Sequence, residues 1–163
     1  MRLTTGNALQ RATVSASSNR LVKKATITEI IASLLVILFI YTGINKWMDY
    51  DTFVFQLGRS PFVQQLARPI AWVLPAGELL IALALIWKPT RLLGFYTSFF
   101  IMTMFTGYIY AMLHYSYYLP CSCGGILASM SWNQHLVFNA IFTLLSLLGI
   151  LLQSGMGKKQ PFL

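Results

Sequence analysis

The sequence predicts an all-α fold, an integral membrane four-helix bundle with both termini cytoplasmic, and three observations predict it. Four apolar runs, 27–47, 70–87, 92–113 and 135–152, are each long enough to cross a bilayer core of ~30 Å, which takes roughly 17–25 helical residues. Charged residues make up 10% of the 163 positions, against about 25% in soluble domains, and mean hydropathy is +0.64. Lys and Arg stand at or beyond the ends of the runs, where they set topology. A segment alone in lipid satisfies its backbone polar groups only as a helix. The chain divides into a basic tail at 1–26, a transmembrane domain at 27–152 and a short tail at 153–163.

Residues 1–26 are rich in Ser and Thr, lack acids and carry Arg2, Arg11, Arg20, Lys23 and Lys24. That composition fits a cytoplasmic, largely disordered tail, and it is also the composition of a mitochondrial transit peptide. A cleavable secretory signal is not expected, because the first apolar run is too long and no Ala-x-Ala-like site follows it. The first helix, 27–47, has Glu29 at one end and Lys46-Trp47 at the other. Phe53, Phe55, Leu57, Phe62, Val63 and Leu66 make the next loop, 48–69, an interfacial segment with one or two short amphipathic turns. The second helix, 70–87, follows Arg68-Pro69, and Lys88-Pro89-Thr90-Arg91 joins it tightly to the third, 92–113, which has no charged residue. Ser131-Trp132-Asn133-Gln134 fits a Ser-x-x-Gln capping box, so the fourth helix extends back to 132–152.

Charge counting orients the chain. With the N-terminus inside, inner segments hold Arg2, Arg11, Arg20, Lys23, Lys24, Lys88, Arg91, Lys158 and Lys159, nine in all, while outer ones hold three: Lys46, Arg59 and Arg68. The positive-inside rule then puts both termini in the cytoplasm and residues 114–134 outside. The same bias accounts for the net charge of +8 without a nucleic-acid partner; membrane lipid is the expected surrounding.

The candidate chemistry lies in few residues. Cys121 and Cys123 are the chain's two cysteines, between Pro120 and Gly124-Gly125. A Cys-x-Cys pair closes a disulfide only in a bent backbone, because preferred Cα separations are ~4.4–6.8 Å. A strained, exposed bridge exchanges readily, which suits a redox relay. Three other readings stay open: inert loop residues, soft-metal ligands for Cu(I) or Zn, and pairing with a partner protein. His135, in the first turn of the fourth helix at the outer interface, is placed to deprotonate a cysteine or to hydrogen-bond a quinone carbonyl; water satisfies it otherwise. His114 has the same ambiguity and a weaker case. Glu78, an acid well inside a span, must face the bundle interior with a partner or be neutral, and Lys46 is the expected partner. That pair reads equally as a proton-handling carboxyl or a packing device. Asn45 and Asn139 are expected to make interhelical hydrogen bonds.

Several of these motifs together resemble the MauE/DoxX family of small four-helix membrane proteins. The resemblance runs over roughly 27–152, through Tyr41-Thr42-Gly43-Ile44-Asn45-Lys46-Trp47-Met48-Asp49, Gly58-Arg59-Ser60-Pro61-Phe62 and Pro75-Ala76-Gly77-Glu78-Leu79-Leu80. Its most specific part is Cys121-Ser122-Cys123-Gly124-Gly125-Ile126-Leu127 with Ser131-Trp132-Asn133-Gln134-His135-Leu136. It implies a redox-associated protein of the bacterial inner membrane with a periplasmic cysteine loop. MauE-type members are linked to methylamine utilisation and to disulfide formation or maturation of a periplasmic subunit, with thioredoxin-like partners. DoxX-type members are linked to quinone-coupled electron transfer, which makes a quinone the candidate cofactor. The chain lacks a second cysteine pair, so the implied thiol–disulfide oxidoreductase acts with a partner dithiol. The alternatives are a soft-metal binding or transport protein and a non-catalytic subunit of a larger complex. Homo- or hetero-oligomerisation is open.

Overall fold

The computed structural model describes residues 4–115 and 130–157, with side chains described over 22–115 and 130–155. Helix α1 spans Thr4–Met48, α2 Tyr50–Gly58, α3 Ala67–Ile86, α4 Arg91–Tyr115 and α5 Trp132–Gly157, with a 3-10 turn at Gln64–Leu66 before α3. Four helices among the described residues are long and apolar enough to cross a membrane: Val22–Met48, Gln64–Ile86, Arg91–Tyr115 and Trp132–Gly155. Helix α1 reaches back through the segment that composition alone assigns to an irregular tail. Its 45 residues contain no proline, so a helix nucleated in the apolar stretch can propagate toward the N-terminus.

α1 packs against α3 and α5, and α4 packs against the same two, giving an up-down-up-down ring in the order α1, α3, α4, α5. The central core draws Leu35 and Phe39 from α1, Leu85 from α3, Phe95 and Met102 from α4 and Ile150 from α5. A smaller core under α2 joins Phe53 and Leu57 to Ala67 and Ala71. This is where the amphipathic turns expected in loop 48–69 lie, with α2 burying one face. Ile37, Leu80, Phe100 and Leu144 point outward and are exposed, as lipid-facing positions on spanning helices can be.

Two glycines permit close approach. A Cβ on Gly149 of α5 would fall 2.4 Å from Cε1 of Phe95, and one on Gly94 of α4 would fall 2.9 Å from the backbone nitrogen of Leu85. No side chain fits at either contact without movement of its neighbour. At the α3–α4 turn, Thr90 Oγ1 donates to the Ala84 carbonyl at 3.0 Å and Arg91 Nε donates to the Leu85 carbonyl at 3.0 Å. These bonds satisfy carbonyls that the end of α3 would otherwise leave bare. Arg91 Nη1 also donates to Glu29 Oε1 at 2.7 Å, tying α4 to α1.

Candidate functional site

The opposite end of the bundle, where α1 finishes and α5 begins, gathers Thr42, Lys46, Glu78, His135 and Asn139, all buried. Lys46 lies one turn after Thr42 on α1, and both face α3. Lys46 Nζ donates to Glu78 Oε1 at 2.5 Å, and Thr42 Oγ1 stands 3.1 Å from Glu78 Oε2, within donating distance. The same hydroxyl is 3.0 Å from the Leu38 carbonyl. Side-chain exposure is 4% for Lys46 and 1% for Glu78, so the pair is almost wholly desolvated. Both carboxylate oxygens have partners, the condition under which a buried ion pair is tolerable. The Lys46 ammonium also lies 5.3 Å from the centroid of the Phe105 ring, a cation–π contact from α4.

α3 reaches this pair through Pro75, which sits inside the helix and is buried. Proline has no N–H to donate one turn back. A Cβ on Gly43 of α1 would stand 3.3 Å from the Pro75 carbonyl, so the two helices run close just where the pair forms.

α5 adds the third ionisable group. Its start is held reciprocally: Ser131 N–H donates to Gln134 Oε1 at 2.9 Å, and Gln134 N–H donates to Ser131 Oγ at 3.4 Å. That is the capping box read in the sequence. His135 follows, its N–H donating to the Ser131 carbonyl at 2.9 Å. Its side chain is buried, at 2% exposure. It lines a small cavity together with Thr42, Lys46, Glu78 and Asn139, walled by Phe105 and Phe138.

Asn45 and Asn139 do not make the expected interhelical bonds through their Nδ2 groups. Asn45 Nδ2 donates to the Tyr41 carbonyl at 2.7 Å and Asn139 Nδ2 to the His135 carbonyl at 3.2 Å, each within its own helix. A short amide side chain reaches its own preceding turn more readily than a neighbouring helix. An interhelical contact is made instead by Thr106 and Thr143, whose hydroxyls are 3.3 Å apart. His114 is exposed and stacked on Tyr110 at 4.2 Å between ring centroids.

Beside the site, Ser60 fixes the segment between α2 and α3 onto α4. Tyr108 donates to Ser60 Oγ at 2.9 Å, and the Ser60 hydroxyl donates to Met112 Sδ at 3.8 Å. Ser60 is buried. Nothing in the sequence marks this three-residue connection, because serine, tyrosine and methionine are each commonplace at a bundle end.

Of the residues singled out by sequence, Lys46, Glu78 and His135 come together, whereas Cys121 and Cys123 lie outside the described residues. The cavity offers about 20 Å³, room for roughly one water. Pockets that hold drug-sized ligands are of order 300–1,000 Å³, so the cavity formed by the described residues beside His135 is too small for a quinone ring. No group of three or more His, Cys, Asp or Glu is arranged to hold a metal ion among the described residues.

No curated protein and no solved structure matches the chain. A family model does, under the description "Methylamine utilisation protein MauE", over residues 24–152. The matched stretch takes in the four apolar spans between residues 24 and 152, the Lys46–Glu78 pair, both cysteines and His135. With its four helices able to cross a membrane, this multi-pass membrane protein belongs to the MauE family.

Proposed function

We propose that the protein is an inner-membrane thiol–disulfide exchange protein whose Cys121 and Cys123 face the periplasm, with both termini cytoplasmic. One observation carries the reading: the chain's two cysteines stand one residue apart in the connection between Tyr115 of α4 and Trp132 of α5, all within the family match. The periplasm is a compartment that allows disulfides to form and persist. The lysine and arginine count supports this orientation.

The partner is a periplasmic thioredoxin-like protein or another dithiol substrate. A thiolate of the reduced partner attacks one sulfur of the Cys121–Cys123 disulfide. That bond breaks, a mixed disulfide forms, and the displaced cysteine takes a proton. The partner's second thiolate then attacks its own sulfur in the mixed disulfide and releases the other cysteine as a thiol. Two electrons and two protons have moved from the partner to the pair, and the partner leaves with a disulfide. The reverse transfer uses the same intermediate.

Alkylation-shift analysis of native membranes tests the reading. The wild-type pair should change its labelling on reduction. Cys121→Ser or Cys123→Ser should accumulate a reductant-sensitive adduct or abolish exchange, and the double variant should form no adduct. A pair that is fully reduced in native membranes, with both single variants indistinguishable from wild type, would overturn it.

A further inference from the structure

Lys46 and Glu78 need only each other, Thr42 and Phe105 to make a stable buried pair. The bundle supplies more than that. α5 brings a third ionisable side chain, His135, to the same cavity. The cavity they share has about 20 Å³ of space, where about 10–15 Å³ suffices for one water. Its polar lining, from Lys46, Glu78, His135, Thr42 and Asn139, offers the two to four hydrogen-bonding partners an enclosed water requires.

Among the described residues, each helix's contribution to the cavity can be named. α1 contributes Lys46, α3 contributes Glu78 and α5 contributes His135, while α4 faces the cavity with Met102 and Phe105, neither of which titrates. With Lys46 protonated and Glu78 ionised, those two charges cancel. Addition of one proton to Glu78 or His135 then takes the site from neutral to a single positive charge. A water touching both groups lets that proton pass between carboxylate and imidazole without either side chain leaving its helix.

We propose that the cavity holds one ordered water, and that Glu78, this water and His135 form a proton-exchange site. The ligand is a proton, and Lys46 is the positioning residue that holds the carboxylate in place. The site stands independently of the cysteine chemistry proposed above.

The test is a pH titration of the full-length protein in lipid nanodiscs, followed by infrared difference spectroscopy in H2O and D2O. The expected result is a single proton uptake shared by Glu78 and His135, resolved from the chain's other acids and His114 by the variants below. Glu78→Gln should remove the Glu78 carboxyl band, leaving those of Glu29, Asp49 and Asp51, and move the His135 titration midpoint by about one pH unit or more, a tenfold change in proton affinity. His135→Gln should move the Glu78 titration by a similar amount. The double variant Cys121→Ser/Cys123→Ser should keep the wild-type titration, which separates this proposal from the thiol reading. Imidazole-labelled NMR of wild-type His135 reads the same event if Glu78→Gln fails to fold. Titration of His135 that is unchanged by Glu78→Gln would overturn the proposal. So would a Glu78 and His135 that both hold one protonation state throughout the folded pH range, or an atomic-resolution structure with no water in the cavity.

Discussion

Among the described residues, two ion pairs tie α1 to its neighbours, one near each end of the bundle, and their surroundings differ. Lys46–Glu78 is 4% and 1% exposed, whereas in Arg91–Glu29 the arginine is 10% exposed and the glutamate 51%. Arg91 has a second anchor in the Leu85 carbonyl, so it stays satisfied if Glu29 is lost. Glu78 relies on Lys46 and Thr42. The same chemical pairing is therefore a structural commitment at one end and a surface adjustment at the other. Desolvation makes the difference: removing one partner of a buried pair strands a charge that water cannot reach, while a half-exposed partner is simply rehydrated.

That contrast is easiest to break at Lys46–Glu78. Glu78→Ala or Lys46→Ala alone should destabilise the bundle by roughly 3–5 kcal/mol, read as the shift of the detergent-induced unfolding midpoint. The paired change Lys46→Met/Glu78→Leu should recover most of that loss, because no charge is then left buried. A smaller effect sharpens the comparison from the apolar middle of the bundle. Gly149→Ala places a methyl against Phe95 and should cost about 1–3 kcal/mol, with Phe95→Leu in the same chain restoring part of it. The smallest effect belongs to Glu29→Gln, which should change stability by no more than about 1 kcal/mol and lose even that in high salt.

Much of this could be read from the sequence, because a membrane imposes strong demands on composition. Each of the four apolar runs lies in a helix of the described residues that is long and apolar enough to cross a membrane, and the ends disagree by a few residues, as with α4 starting at Arg91 and ending at Tyr115. The Lys46–Glu78 pairing was legible for the same reason: two opposite charges in apolar segments have few other places to go. The capping box named the start of α5. What remained hidden was rotation about each helix axis. α4 carries no charged side chain between Arg91 and its last turn, so no polar stripe distinguishes its inner face. The angular setting that turns His135 into the cavity depends on packing partners far away in sequence. Arg91 illustrates the limit from the other side. Counted as a topology signal, it is also a buried two-way hydrogen-bond donor, and local sequence carries no sign of that.

The contact between Gly149 and Phe95 has a mechanical consequence for the far end of α5. Positions 135 and 149 are 14 apart, about 3.9 turns at 3.6 residues per turn, so His135 and Gly149 share nearly the same side of the helix. The Phe95 ring seated on Gly149 thus works like a key in a slotted shaft. Helix side chains reach about 5–6 Å from the axis, so a roll of roughly 30° would swing the imidazole by ~3 Å, about the length of a hydrogen bond. The azimuth of the imidazole is indexed four turns away, by a residue with no side chain.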